Sequence, residues 1–514
     1  MSTTNSAKMT NTRWSICILL FVATTINYLD RQVLSLTWVD FIQPEFHWTD
    51  VHYGWIAAIF SLCYAISMLF AGKFIDWMDT KKGFMWAIFV WSIGAVIHAF
   101  AGLATSGIVL GEWTFSFHHA ADALRAIHPD SVENIAIVGK IINVSVVLFI
   151  FCRIVLAIGE AGNFPAAIKA TAEYFPKKDR ALATSIFNAG ATVGALAAPL
   201  TIPFLAKIWG WEWAFIIIGG TGFVWMGFWQ FIYHKPEVHP KVNKAELDYI
   251  LSDKEETVVV DTAKAEKKVS FKEAFRYKQT WAFVVGKFMT DGVWWFYLFW
   301  APAYISTQYN MPMTSWEGKI AIFVLYAITL LSIIGGWLPS YFVDKKGMQP
   351  YAGRMKAMLI FAFFPLLALF AQPLGVHSYW WPVIIIGIAG AAHQAWSANL
   401  FSTIGDMFPK KAIATITGIG GMAGGIGSFL INVGSGKLFD FSRGTTMIDG
   451  NEVMMSKDLL ESGAEFVRQP MGFIGFEGAP AGYFIIFCIC AVAYLIGWSI
   501  MKTLVPKYKP ITDL

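Results

Sequence analysis

Residues 143–164 read NVSVVLFIFCRIVLAIGEAGNF, and this stretch decides what kind of fold the chain can adopt. It is a largely apolar run, and about 20 such residues let an α-helix cross the hydrocarbon core of a bilayer. The run also carries Arg153 and Glu160, which are costly to place inside a membrane. The stretch therefore predicts a membrane-spanning helix that keeps two charged groups at membrane depth.

Runs of the same kind recur along the whole chain. The 514 residues are 56% hydrophobic and only 14% charged, with a mean hydropathy of +0.53. This is more apolar surface than one soluble core can hide. Lipid offers the backbone no hydrogen-bond partners, so we expect the spans to be helices. The predicted spans are 14–36, 52–71, 84–103, 143–164, 181–206, 211–233, 281–305, 318–342, 354–372, 379–401, 413–437 and 480–503.

The basic residues are distributed unevenly between the two sides of these spans. If the N-terminus is cytoplasmic, the large majority of the 39 lysines and arginines fall in cytoplasmic segments. Such an excess is typical of the cytoplasmic side of a membrane protein. We therefore expect a multi-pass protein in a lipid bilayer with both termini cytoplasmic. The net charge of +4 does not indicate nucleic-acid binding.

Residues 234–280 form the one long charged stretch between two apolar halves. We interpret this stretch as a solvated tether, with a surface helix inside it as the alternative. It would join an N-terminal six-helix bundle, residues 1–233, to a C-terminal one, residues 281–514. A repeat supports the two halves, because Phe-Pro-Lys-Lys occurs at 175–178 and again at 408–411. The predicted fold is an all-α membrane protein with twelve transmembrane helices in two six-helix bundles.

Charged side chains recur at membrane depth in three of the predicted spans. They are Asp30, Arg31, Arg153, Glu160, Lys287 and Asp291. Arg153 and Glu160 lie two turns apart on one helix face, with Ala157 between them leaving room for a ligand or a neighbouring helix. Lys287 and Asp291 are four residues apart and can pair with each other. A buried structural ion network is the alternative to a binding role, although such networks are costly to keep.

The seventh and tenth spans place aromatic rings next to hydrogen-bonding groups. Residues 291–297 read DGVWWFY and residues 393–399 read HQAWSAN. Indole rings can stack on the apolar faces of sugars, while His, Gln, Ser and Asn can bond hydroxyl groups. Packing and anchoring at the membrane interface are the alternative. The predicted substrate-binding residues of these spans are Trp294, Trp295, Tyr297, His393, Gln394, Trp396, Ser397 and Asn399.

Three stretches resemble a known family of membrane proteins. Residues 72–83, GKFIDWMDTKKG, resemble the signature loop of the major facilitator superfamily. Residues 27–31, NYLDR, and 153–165, RIVLAIGEAGNFP, resemble the anion:cation symporter family within it. Residues 290–300 and 393–399 look most like bacterial hexuronate transporters. The resemblance covers nearly the whole chain.

Two long outside segments, 104–143 and 439–480, depart from the family pattern and leave the shape of the outer surface open. Elsewhere the resemblance implies a major facilitator fold and proton-coupled uptake of a sugar acid by alternating access, in the inner membrane of a bacterium. The roles it implies are proton coupling by Asp30 and Glu160, anion binding or coupling by Arg31 and Arg153, further substrate contacts by Tyr28 and Tyr64, and gating by Gly72, Asp76, Lys81 and Lys82.

The expected function is import of a sugar acid anion, a hexuronate such as glucuronate or galacturonate, together with protons. The alternative is an exchanger, or an importer of another organic anion such as an aldonate or aldarate. We expect a monomer without a cofactor or a metal. A receptor would need a signalling domain that the sequence lacks, and no nucleophile–base constellation indicates an enzyme.

The topology that the charge asymmetry predicts can be tested with single cysteines introduced at Ser2 and Leu514. Both should resist an impermeant thiol reagent added outside intact cells and react after permeabilisation, because both termini are expected in the cytoplasm. A cysteine at Ser456, in a predicted outside segment, serves as the accessible control. Labelling of either terminal cysteine from outside contradicts the predicted topology.

Overall fold

The computed structural model describes residues 9–128, 132–252, 270–448, 451–455 and 465–511. In this part of the chain, eleven helical segments are long and apolar enough to cross a membrane. The helix Lys278–Tyr309 has 32 residues and is the twelfth long helix. It is not among the eleven and carries Lys287, Asp291 and several Trp and Tyr residues. Ser2 and Leu514 lie outside the described residues.

The first half of the chain supplies helices that turn back and forth across the bundle. Helix α1 continues through a short π-helical turn, Trp38–Ile42, into α2, so the first span runs from Thr12 to Phe46. It is longer than the predicted span 14–36. The helices are α1 Thr12–Thr37, α2 Gln43–Phe46, α3 Asp50–Met78, α4 Thr80–Ile97, α5 Ala101–Leu110, α6 Phe117–Arg125, α7 Val132–Glu160, α8 Asn163–Tyr174, α9 Lys177–Trp209 and α10 Trp211–Ile232.

The linker and the second half follow the same plan. Short 3₁₀ stretches, Thr329–Ile333 and Phe364–Phe370, join neighbouring helices into single spans. The helices are α11 Lys244–Leu251, α12 Phe271–Ala274, α13 Lys278–Tyr309, α14 Trp316–Ile328, α15 Ile334–Asp344, α16 Pro350–Phe363, α17 Ala371–Gly375, α18 Trp380–Met407, α19 Lys410–Ser442 and α20 Ala479–Leu504.

The internal repeat appears as a matched pair of helices. Helices α9 and α19 each have 33 residues and each begin directly after a Phe-Pro pair. Pro176 and Pro409 have nearly the same extended backbone conformation, with φ of −62° and −63°. Proline fixes φ near this value and cannot donate a backbone hydrogen bond, so it suits the residue that precedes a helix. The repeated motif thus starts corresponding helices in the two bundles.

The two bundles meet most extensively where α3 crosses α19. A Cβ atom added at Gly425 of α19 would lie 2.1 Å from the Cβ of Ala65 on α3. Only glycine allows so close an approach, and small residues are what lets helices in a membrane pack tightly. The glycines of α19 therefore set the distance between the bundles.

The first part of the linker is not a free tether. Glu246 of α11 is fully buried and accepts a hydrogen bond of 2.9 Å from the guanidinium of Arg13, at the start of α1. It also accepts bonds from the hydroxyl of Thr10 and the backbone N–H of Thr12. These contacts dock α11 on the N-terminal bundle. We call this end of the molecule the linker side; residues 253–269 lie outside the described part.

The two long segments lie on the opposite side, but the first is shorter than predicted, because the third span runs to Leu110 and the fourth begins at Glu133. In the first, α6 is tied to the bundle because Arg125 lies 3.5 Å from the buried carboxylate of Glu45. The second contains two antiparallel hairpins, formed by strands β1 Thr445–Ile448, β2 Asn451–Met454, β3 Gly472–Phe473 and β4 Phe476–Glu477. The all-α prediction is therefore right for the spanning region and misses these short strands.

Gly159→Ala tests how tightly α7 packs on α4. A Cβ atom at this position would lie 2.3 Å from the backbone nitrogen of Trp91, which cannot move without displacing α4. We expect a loss of about 1–3 kcal/mol in stability, the usual cost of overpacking. It would be measured as a lower melting temperature of the purified protein.

Gly139→Ala, on the same helix, is the control, because nothing lies within 4 Å of its added Cβ. Equal melting temperatures for the two variants would show that α7 and α4 are not closely packed.

Candidate functional site

A buried ion pair joins α1 to α7 at the centre of the N-terminal bundle. The Nε and a terminal nitrogen of Arg31 donate to Oε2 of Glu160, at 2.9 and 2.6 Å. Arg31 is 3% exposed and Glu160 is fully buried. Both bonds go to one carboxylate oxygen, and Oε1 has no hydrogen-bond partner among the described residues. The sequence predicted both residues at this depth but not that they pair.

Aromatic rings surround the Arg31 guanidinium. Its central carbon lies 5.1 Å from the ring centre of Tyr28, 4.8 Å from Tyr64 and 5.0 Å from Trp295. A cation over an aromatic face is stabilised by the ring quadrupole. Trp295 belongs to α13 of the other bundle, so the arginine lies where the two bundles meet. Three predicted substrate residues thus gather around one cation.

The two other charged side chains at the centre, Asp30 and Arg153, form no ion pair like that of Arg31 with Glu160 among the described residues. Asp30 is 1% exposed, and neither carboxylate oxygen has a hydrogen-bond partner among the described residues. Arg153 is 3% exposed, and its guanidinium lies over the ring of Phe60 at 5.3 Å. It lines a narrow gap with Ser35 and Tyr53. Among the described residues, the site therefore holds an acid and a base without ion-pair partners next to the Arg31–Glu160 pair.

The C-terminal bundle has its own buried pair. Lys287 Nζ lies 2.6 Å from Oδ2 of Asp291, one turn further along α13. The ammonium also lies over the ring of Phe401 on α18, at 4.4 Å. This is the local pairing that the four-residue spacing allowed.

The remaining predicted residues of α13 and α18 divide into two groups, of which the first comprises Trp294, His393, Gln394 and Ser397. Trp294 stacks on His393 with ring centres 5.4 Å apart, and His393 Nδ1 lies 2.8 Å from the hydroxyl of Tyr494. Gln394 and Ser397 are half-buried.

The second group packs inside the C-terminal bundle. Asn399 donates to the backbone oxygen of Gly335, which ties α18 to α15. Trp396 lies edge-on to Tyr494, and Tyr297 lies beside Cys490 of α20. These three side chains hold helices together around the site and do not line its centre.

The signature loop closes the linker-side end of the N-terminal bundle. Asp76 lies 3.0 Å from Lys169 of α8, and Lys81 donates to the backbone oxygen of Gln230. Both contacts stay inside this bundle. A Cβ atom added at Gly72 would meet no described atom within 4 Å, and Lys82 is exposed.

On the opposite side, polar contacts connect the two bundles. Asp50 at the start of α3 lies 2.6 Å from Arg443, just after α19. The carboxylate of Asp440 accepts the backbone N–H groups of Asp50 and Val51, at 3.0 and 3.1 Å. The Tyr53 hydroxyl donates to a backbone oxygen of α13. We call this set of contacts the outer seal.

Sequence reasoning missed the outer seal. Its charged members stand at the ends of spans, where acids and bases are common and carry no signal of their own. Only the distance between α3 and α19, set by the glycines of α19, brings them together.

The chain can now be compared with known proteins. Residues 20–431 match the model of the Major Facilitator Superfamily. The chain therefore belongs to this superfamily of membrane transporters, as the signature loop indicated.

Its relatives include several transporters of sugar acids. A hexuronate transporter of Escherichia coli (strain K12) is 26% identical over 441 residues, covering 84% of this chain and 89% of that protein. A galacturonate transporter of Dickeya chrysanthemi is 25% identical over 343 residues, covering 65% and 84%. A probable galactarate/D-glucarate transporter of Escherichia coli (strain K12) is 24% identical over 456 residues, covering 83% and 91%.

Solved structures share the fold. A bacterial homolog of the human lysosomal transporter Spinster, in an inward-facing and unoccupied conformation, has a TM-score of 0.62 and 18% identity, covering 98% of this chain and all of that one. A D-xylose-proton symporter has a TM-score of 0.58 and 16% identity, covering 97% and 99%.

Asp50→Asn tests whether the outer seal holds the opposite side closed. A cysteine at Ser61, buried between α3 and α19, reports access from that side. If the ion pair favours the closed state by about 1.4 kcal/mol, its loss raises the open population about tenfold. Labelling by an impermeant thiol reagent should then be faster by that factor.

Asp406→Asn, which breaks the Arg354–Asp406 pair on the linker side, is the matched control and should leave the labelling rate unchanged. An Asp50→Asn rate equal to that of the unsubstituted protein would remove the ion pair from the seal.

Proposed function

We propose that this protein is a symporter that imports a sugar acid anion, a hexuronate such as glucuronate or galacturonate, together with protons. The observation that carries the proposal is the buried Arg31–Glu160 pair, which faces Trp295 of the other bundle. A substrate carboxylate is chemically the same group as Glu160 and can take its place on the arginine. The names of the sugar-acid transporters among the relatives support this substrate class.

Arg31 is suited to hold the substrate carboxylate. A guanidinium presents a planar fork of N–H donors that matches a carboxylate, and it stacks on aromatic faces. The rings of Tyr28, Tyr64 and Trp295 already frame it and can contact the apolar face of a sugar. Arg153, which has no acidic partner among the described residues, adds a second positive charge that attracts the anion.

Exchange of partners at Arg31 couples the substrate to a proton. When the substrate displaces Glu160, a carboxylate is left in a buried site without a cation. An unpaired buried charge is so costly that the group neutralises instead, and here it does so by taking up a proton. By linkage, the proton in turn strengthens anion binding by the same factor.

Asp30 is the second proton site in this scheme. Its carboxylate is buried beside Arg153 and Glu160 and has no hydrogen-bond partner among the described residues. A protonated acid tolerates this environment better than a carboxylate does. Two protons with one monovalent anion carry net positive charge inward, so an inside-negative potential would drive uptake.

Alternating access would carry the substrate across the membrane. With the linker side in the cytoplasm, the outer seal closes the outside and the substrate leaves inward. The signature loop, through Asp76, Lys81 and Lys82, would govern the closing of the cytoplasmic end. We place the protein in a bacterial inner membrane as a monomer, with both termini and the 234–280 linker in the cytoplasm.

An exchanger, or an importer of an aldonate or aldarate, is the second candidate. The probable galactarate/D-glucarate transporters among the relatives favour an importer of an aldarate. Uptake into proteoliposomes across a panel of sugar acids, with and without a proton gradient, separates the candidates, because an exchanger needs a counter-substrate inside and a symporter needs the gradient.

Glu160→Gln tests the coupling. Glutamine resembles the protonated acid, so the variant should bind the anion and exchange it across the membrane. It should lose accumulation driven by an imposed pH gradient, because no proton is released or taken up at this position. The measurement is gradient-driven uptake and counterflow of labelled substrate in proteoliposomes.

Glu317→Gln, at an exposed position at the start of α14, is the control and should accumulate substrate normally. Full gradient-driven accumulation by Glu160→Gln would exclude Glu160 from the coupling.

A further inference from the structure

One stripe of α13 faces the space between the bundles. Phe288, Asp291 and Trp295 are only partly buried, in a helix whose other residues in this region are mostly buried. Positions three and four apart lie on one face of a helix. The carboxylate of Asp291 therefore stands on the same face as the indole that covers Arg31.

Only one of the two carboxylate oxygens of Asp291 is engaged by a described residue. Oδ2 is engaged by Lys287 at 2.6 Å, while Oδ1 has no hydrogen-bond partner among the described residues. Its side chain is 13% exposed, and that of Lys287 is 7% exposed. The pair is thus neutral overall, and Oδ1 is a buried acceptor that no described group engages.

The pair lies within reach of a substrate held at Arg31. Asp291 precedes Trp295 by four residues, which is about 6 Å along a helix axis. A six-carbon sugar acid that is bound by its carboxylate at Arg31 and lies along α13 is long enough for its far end to reach the turn that carries Asp291.

The described groups that pack around the pair bring no further free charge. His393 is stacked on Trp294 and lies 2.8 Å from the hydroxyl of Tyr494. Phe401 covers the Lys287 ammonium from α18. The far end of a substrate would consequently meet one carboxylate whose cation is already engaged.

We propose that the Lys287–Asp291 pair is a charge filter that selects sugar acids with a single carboxylate over dicarboxylates. This inference rests on the proposed function. Oδ1 of Asp291 accepts a hydrogen bond from a hydroxyl at the far end of a uronate. A second carboxylate at that end would face a like charge, and like charges in contact are a strong means of rejecting a ligand.

The test compares glucuronate with glucarate, its dicarboxylate counterpart. Each acid competes with labelled glucuronate for uptake into proteoliposomes, and binding to purified protein is followed by thermal stabilisation. The unsubstituted protein should prefer glucuronate by about tenfold or more. In Asp291→Asn the like charge is gone and Lys287 is free, so the preference should shift towards glucarate by about tenfold or more.

Two further variants make the test specific. Lys287→Gln/Asp291→Asn leaves no unpaired charge, so it should fold and should fall between the other two proteins in its preference. Asp406→Asn breaks an ion pair outside the site and should keep the original preference.

The outcomes separate two failures. Equal binding of both acids by the unsubstituted protein, or an unchanged preference in Asp291→Asn and in the double variant, overturns the filter while the proposed function stands. If the unsubstituted protein binds neither acid, the proposed function fails, and the filter fails with it.

Discussion

The rest of the structure depends on the buried bond between Arg31 and Glu160. A charge in a membrane interior is costly without a partner, and removing one member of a buried pair costs about 3–5 kcal/mol. This constraint fixes α1 against α7 and holds the arginine towards Trp295 of the other bundle. It also explains why a carrier can use the pair, since only another anion can replace Glu160 without that cost.

The two bundles use buried charge differently. In the N-terminal bundle the pair joins residues 129 positions apart on two helices, and two more charges nearby are left over. In the C-terminal bundle Lys287 and Asp291 pair within one helix and balance each other. The first arrangement can change partners as helices move, whereas the second travels with its helix. A repeated fold thus holds one ion pair between two helices and one within a single helix.

The sequence carries some of these features and not others. The spans follow from apolar length, and the shared Phe-Pro-Lys-Lys motif does begin matching helices α9 and α19. The depth of Arg31 and Glu160 could be read directly, because charge inside an apolar run stands out. Their pairing could not, because it depends on the rotation of α1 relative to α7. The same reason hid the contact of Asp50 with Arg443 and the inward packing of Asn399. Glu246 looked like one charge in a solvated run, and only its contact with Arg13 shows otherwise.

The carboxylate of Asp440, on α19, lies at the start of α3 and affects what happens to α3 when the bundles separate. It caps a helix of the opposite bundle, so parting the bundles on that side strips α3 of two acceptors. Thr49 and His52 form a capping box at the same helix start, and this local cap stays in place when Asp440 withdraws. Fraying of α3 is thereby prevented, and water can solvate the donors that are released. If the bundles part on this side, the contacts of the outer seal break while α3 keeps its own N-terminal cap.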